Sequence, residues 1–212
     1  MQKRRGGLLF LWFVAIGLAA GFLACGKSQE PLVLVSDLDS TIVIDLKYAT
    51  SKNFVGEVLY DTSLCYLRKS VAQRLVRVQK ALRRRGLGLK IWDGYRPLSV
   101  QKRMWELVPD PRYVADPRKG SRHNRGAAVD VTLVDSLGNE LPMPTGFDDF
   151  TPRAHRDYMN LPPQVIHNRR LLEEAMRREG FIPLPTEWWH FDAPNWKSYP
   201  ILNIPLREVG KR

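Results

Sequence analysis

Cysteine is nearly absent from this sequence: Cys25 and Cys65 are the two among 212 residues. That excludes a disulfide scaffold and leaves the fold to be stabilised by its apolar core. Acidic residues are also few, 22 Asp plus Glu against 33 Lys plus Arg, giving a formal charge of +11. Past residue 24 no long apolar run occurs, and no internal repeat is visible anywhere. With 44% hydrophobic and 26% charged residues, the chain is not a collagen, a coiled coil or a disordered segment. Its length suits one domain of ordinary size.

The charge excess invites a nucleic-acid reading, and the N-terminus is the first test of it. Lys3, Arg4 and Arg5 precede an uncharged apolar run from Leu8 to Ala24, the layout of a secretory signal. The run ends in Phe22-Leu23-Ala24-Cys25-Gly26, which resembles the lipobox of bacterial lipoproteins. That resemblance implies cleavage before Cys25, a lipid on its sulfur, a membrane partner through that anchor, and an exported, cell-envelope address. Residues 1–24 are then a signal peptide, 25–31 a lipidated tether, and 32–212 the folded domain. With Cys25 lipidated, Cys65 has no disulfide partner. Discarding the signal leaves 30 basic residues against 22 acidic ones.

Val71, Leu75, Val78 and Leu82 form one helical stripe, with Arg and Lys opposite and Gly86 as a stop, so a helix is predicted near Ser70 to Arg85. Leu87, Leu89 and Ile91 alternate as in a strand that ends at Asp93-Gly94-Tyr95-Arg96-Pro97. Val108 to Arg125 lacks apolar periodicity and reads as a long loop, a form often functional. Ala127 to Val134 is strand-like and is followed by a turn at Leu137-Gly138-Asn139. A second amphipathic helix fits Pro163 to Arg178, and an aromatic strand falls around Trp188 to Asp192. The expected fold is α+β, a single domain with a central, mainly antiparallel sheet flanked by helices.

The chemistry concentrates in two segments. In Ser121-Arg122-His123-Asn124-Arg125-Gly126-Ala127-Ala128-Val129-Asp130, a loop histidine precedes a carboxylate in an apolar strand. A half-buried Asp130 needs a partner, supplied by a metal ion or a basic side chain. In Glu187-Trp188-Trp189-His190-Phe191, a carboxylate and an imidazole lie three apart among aromatics. Two His and one Asp or Glu suffice for catalytic zinc, leaving one position for water. Residues three apart on a regular strand face opposite sides, so Glu187 and His190 share a site only if the strand starts between them or carries a bulge. His155 and His167 lie in weakly patterned sequence and read as structural.

Ser121-x-His123-x-x-Gly126-x-Ala128-x-Asp130 followed by Glu187-Trp188-Trp189-His190 resembles the zinc-dependent D-alanyl-D-alanine dipeptidases, within a wider group of D,D-peptidases of cell-wall peptides. Asp45 to Thr50 with Asn53-Phe54, the Asp93-to-Pro97 turn and Phe147-Asp148-Asp149-Phe150 extend the likeness over roughly Val33 to Asp192. The resemblance implies one zinc ion, held at the sheet by His123, Asp130 and His190, with Glu187 as general base. Arg96 matches the residue that supports the oxyanion, a role suited to a permanently charged, rigid donor fork. Asp148 resembles the carboxylate that meets the substrate ammonium, with Asp149 one shift away, and Tyr48 and Ser121 resemble pocket residues around the dipeptide. The implied reaction is hydrolysis of D-Ala-D-Ala by metal-activated water, in wall-peptide turnover or recycling.

Three readings compete. The close one is a zinc D,D-carboxypeptidase that trims longer wall peptides, which does not need a free ammonium beside the scissile bond. A distant one is a haloacid-dehalogenase-like phosphatase, because Leu32 to Thr41 resembles that group's first motif, with Asp37 and Asp39 as its acids. Asp37 and Asp39 read instead as an exposed turn beside an early strand. Nucleic-acid binding has no motif to support it: the arginines at 74, 77, 83, 84 and 85 lie on a helix whose other face the core needs. Such a surface suits anionic headgroups or wall polymers near the anchor.

Overall fold

The computed structural model describes residues 30–211; the signal peptide, Cys25 and most of the tether lie outside them. The chain opens with β1 (Leu32–Leu34), a short helix α1 (Val35–Leu38) and β2 (Val43–Ile44). Next come β3 (Tyr66–Arg68), α2 (Lys69–Arg83), β4 (Leu87–Asp93) and α3 (Leu98–Leu107). β5 (Ala128–Asp135), α4 (Pro163–Arg178), β6 (Ile182–Pro183) and β7 (His190–Asp192) complete the set. Among the described residues no helix is long and apolar enough to cross a membrane.

Five strands form the central sheet in the order β2-β4-β5-β7-β6, and β1 pairs with β3 in a separate two-stranded sheet. All neighbours in the central sheet are antiparallel except β2 and β4. This is the expected α+β fold, and it lacks the doubly wound parallel core that the phosphatase reading requires. Asp37 is exposed on α1, and Asp39 accepts the Thr41 backbone N–H at 3.0 Å, closing a turn.

β5 is the axis of the molecule. Pairing on both edges and Val, Ala and Leu along its length bury every residue from Ala128 to Val134. Alternation sends Val129, Val131 and Leu133 to one face and Asp130 and Thr132 to the other. The stripe of α2 is buried as expected, and α2 packs against α4 and β4. Trp92, Phe147, Trp188 and Trp189 meet edge-on or tilted at centroid distances of 5.5–5.9 Å, sealing the core beneath the Glu187–His190 segment.

α3 is an element that the apolar pattern does not announce. Its core-facing residues include Gln101, which is fully buried because it hydrogen-bonds the Arg96 guanidinium and the Ala115 carbonyl. The helix therefore turns Gln101 to a polar site, while Met104 joins the apolar core. The long loop runs as expected from residue 108 and ends in a 3-10 turn, His123–Arg125.

Two glycines set how closely that turn is held. Gly94 leaves room for Cys65 Sγ and the Tyr66 carbonyl, which a Cβ would meet at 2.8 and 3.0 Å. Gly126 ends the His123 turn at φ +64°, and its missing Cβ admits Leu32 of β1, 2.6 Å from where that atom would lie. Left-handed backbone with a side chain costs about 1–2 kcal/mol. Gly126→Ala is therefore expected to lower unfolding free energy in urea by roughly 1–3 kcal/mol once crowding against Leu32 is added. Combining it with Leu32→Ala should cost less than the sum of the two single changes. An unchanged urea midpoint for Gly126→Ala would refute this account of the turn.

Candidate metal centre and active site

The site is assembled where β4, β5 and β7 lie side by side. β4 shifts register between Ile91 and Asp93, so Asp93 stands opposite Asp130, and Asp130 in turn stands opposite His190. β7 begins at His190, with Glu187 in the turn before it, so of the two arrangements the spacing allows, a strand start or a bulge, it is the strand start that occurs. The His123 turn is stitched onto the β4 end: Arg96 N–H donates to the His123 carbonyl at 3.1 Å, and Asn124 Nδ2 to the Arg96 carbonyl at 2.8 Å.

His123, Asp130 and His190 are buried, with one ligating atom from each lying within 4.8 Å of the others. His123 Nε2 is 3.2 Å from His190 Nδ1 and 3.4 Å from Asp130 Oδ2, and His190 Nδ1 is 2.9 Å from Asp130 Oδ1. The outer nitrogens have acceptors only: His123 Nδ1 donates to the Gly94 carbonyl at 2.8 Å, and His190 Nε2 to Asp192 Oδ1 at 2.9 Å. With a metal bound, these partners hold the ring protons on the outer nitrogens and leave the inner ones as lone pairs. Two imidazole lone pairs and a carboxylate thus converge on one point, an arrangement that repels itself until a cation sits there. The same pull acts on a proton: burial opposes charge on His190, but Asp130 and Asp192 carry its pKa up to about 10. Burial raises the Asp130 carboxyl, and His123 and His190 more than offset this and hold it far below the usual range. Two nitrogens and one oxygen fit zinc with a fourth position open.

The remaining candidate residues line one cavity of about 370 Å³ with the triad. Glu187 is half-buried, with its carboxylate 4.0 Å from His190 Nδ1, and burial raises its pKa against the pull of His190. Arg96 is buried and gripped by Asp93 Oδ2, at 2.6 Å from Nη2 and 3.2 Å from Nε, while Nη1 donates to Gln101 at 2.9 Å. Its guanidinium lies 4.9 Å from the Tyr48 ring centroid. Burial alone would weaken that charge, but Asp93, Tyr48 and Tyr60 carry the Arg96 pKa well above its ordinary value.

Tyr48 donates to Asp148 Oδ2 at 2.8 Å. Asp148 has φ 55°, left-handed backbone that an Asp tolerates better than most residues. Burial pushes its carboxyl well above the usual range, although the Tyr48 hydroxyl pulls the other way. Asp149 accepts the Thr151 N–H at 2.9 Å and is not part of this cavity. Ser121 lines the cavity, its N–H donating to Asn124 Oδ1 at 2.7 Å. His155 and His167 are not brought to the site, and Cys65 is buried with its thiol pushed up by that burial.

Three supporting residues escape the sequence reading. Asp93 holds Arg96, accepts the Tyr60 hydroxyl and lies 3.4 Å from His123 Nδ1. Its place in the Asp93-to-Pro97 turn was visible, but not its burial. Asp192 follows His190 by two, the same-face spacing of a strand, which is a signal that could have found it. Gln101 carries no signal, since its function depends on α3 docking at the site.

A family profile described as D-Ala-D-Ala dipeptidase, within peptidase M15, matches residues 28–205. The D-alanyl-D-alanine dipeptidase of Escherichia coli (strain K12) is 41% identical over 170 residues, covering 80% of this chain and 86% of that protein. The D-alanyl-D-alanine dipeptidase of Enterococcus faecium is 30% identical, covering 73% and 89%. A solved vancomycin-resistance D,D-pentapeptidase with Zn(II) is a distant likeness, at 18% identity and a TM-score of 0.43 over 63% of this chain and 75% of that one. By the span of the family match and the identity to these relatives, this chain belongs to the D-Ala-D-Ala dipeptidase family of M15 metallopeptidases.

Proposed function

We propose that the chain hydrolyses D-Ala-D-Ala to free D-alanine, using a zinc ion held by His123, Asp130 and His190. The observation that carries this is the convergence of two tautomer-locked imidazoles and a carboxylate in a cavity shared with Glu187 and Arg96. When bound, zinc supplies Lewis acidity toward water and the scissile carbonyl. Glu187 takes the proton from the attacking water and returns it to the leaving amine. A carboxylate whose pKa is raised by burial is a stronger base toward that water than an exposed one.

Arg96 donates to the oxygen on which negative charge develops. Asp93 and Gln101 hold the fork before substrate arrives, so little reorganisation is needed as the charge grows. Asp148, held by Tyr48, accepts the substrate's free ammonium, and Ser121 lines the same pocket. This ammonium contact favours a dipeptidase over a D,D-carboxypeptidase. The sequence before residue 30 supports a further proposal: that the enzyme works outside the cytoplasmic membrane, tethered by a lipid on Cys25. Its role would then be turnover or recycling of wall peptides.

Zinc-loaded protein is expected to release D-alanine from D-Ala-D-Ala, and a chelator should abolish the release. Glu187→Gln should lower kcat by about 10²–10⁴-fold with zinc content unchanged; activity surviving that change would sink the mechanism. N-acetyl-D-Ala-D-Ala should be a poor substrate, and Asp148→Asn should act on the free dipeptide mainly by raising KM, about 10- to 100-fold. Equal turnover of the acetylated and free compounds would favour the carboxypeptidase instead. In cells fed labelled palmitate, the full chain should incorporate label and Cys25→Ala should not; an unlabelled wild type would remove the anchor from this picture.

A further inference from the structure

Hydrolysis of a free dipeptide leaves one charged group of the substrate without a partner in the roles given above, the α-carboxylate. We propose that Arg122, the unassigned position between Ser121 and His123 in the first motif, binds this carboxylate and determines specificity for a free C-terminus; this rests on the dipeptidase reading.

The cavity carries Asp130, Asp148 and Glu187, so an incoming carboxylate needs a cation of the protein to meet it. Arg96, held by Asp93 and Gln101, is already assigned to the oxyanion. Arg125 is turned to the Tyr199 carbonyl, and Lys119 is exposed on the loop. Arg125 shares the Trp196 platform, at 5.7 Å, and also has a buried Nε without a partner among the described residues, but its Nη1 is taken by Tyr199, whereas the Arg122 guanidinium donates no hydrogen bond among those residues. The Arg122 guanidinium is stacked 5.0 Å from the Trp196 ring centroid, and its Nε lies 3.0 Å from Asp192 Oδ2 without lining up on it. That Nε is buried and has no hydrogen-bond partner among the described residues. The head group is thus held in place while its donors remain available.

Position also selects Arg122. In a dipeptide the carboxylate lies within about one residue length, ~3.8 Å, of the scissile bond. Its partner must therefore stand close to the metal ligands. Arg122 immediately precedes the ligand His123 and lines the cavity together with the triad. A planar fork over an aromatic platform also matches carboxylate geometry better than a lysine ammonium.

The test compares D-Ala-D-Ala with D-Ala-D-alaninamide, which has the same scissile bond and ammonium but no carboxylate, on the zinc-loaded protein. Wild type is expected to favour the acid by about 10- to 100-fold in kcat/KM. Arg122→Gln should bring that ratio toward unity, chiefly by raising KM for the acid, with zinc content unchanged, and Arg122→Lys should restore part of the preference. Arg122→Gln losing the same factor on both compounds would show that the residue acts only through Asp192 and His190, and would overturn the proposal. Wild type that cleaves neither compound would overturn the dipeptidase reading itself, and this role with it.

Discussion

Three carboxylates buried in one patch of sheet are the constraint around which this protein is organised. Asp93 and Asp130 face each other across β4 and β5, and Asp192 lies one strand further on β7. Like charges directly opposed on a sheet repel, and burial raises the cost of each. Such a patch is stable only if every carboxylate is given a positive or hydrogen-donating partner. Asp93 takes Arg96 and Tyr60, Asp192 takes His190 and Arg122, and Asp130, facing the inner nitrogens of two histidines, is left to share a cation with them. The catalytic geometry follows from satisfying these charges. The outer two carboxylates orient Arg96 and His190, and the middle one completes the metal site.

The supporting structure follows the same logic. The Gly94 carbonyl fixes the His123 tautomer, and Gly94 can lie close to β3 because it lacks a Cβ. Gly126 lets the His123 turn pack against β1 in the same way. α3 brings a buried glutamine rather than an apolar residue, because its neighbour is the Arg96 guanidinium. Apart from the Gln101–Arg96 pair, these contacts join segments far apart in the chain.

The positive charge now divides into parts. Many arginines are matched with acids on the domain surface, as Arg77 is with Glu179, Arg103 with Glu57, Arg177 with Glu173 and Arg207 with Asp61. Exposed pairs of this kind contribute little to stability. Others turn inward: Arg68, Arg156 and Arg169 reach backbone carbonyls of distant segments. A small group, Arg96 and Arg122 among them, faces the cavity. Part of the basic composition is therefore architecture.

By itself the sequence determined the elements whose signals are local. Period and stop residues placed α2 and α4, alternation placed β4 and β5, and the lack of apolar periodicity marked the loop before His123. The resemblance of its motifs pointed to His123, Asp130 and His190 as a metal set, and the spacing of Glu187 and His190 called for either a strand start between them or a bulge. α3 was not legible, since its buried face mixes Gln101 with Met104, and neither were Asp93 and Asp192 as partners of the site. Only the tertiary structure decided those, by a register shift in β4 and the pairing of β5 with β7. The physical reason is that hydropathy is a property of each residue, whereas the need to pair a buried charge is met by whichever distant segment the fold brings within hydrogen-bonding distance.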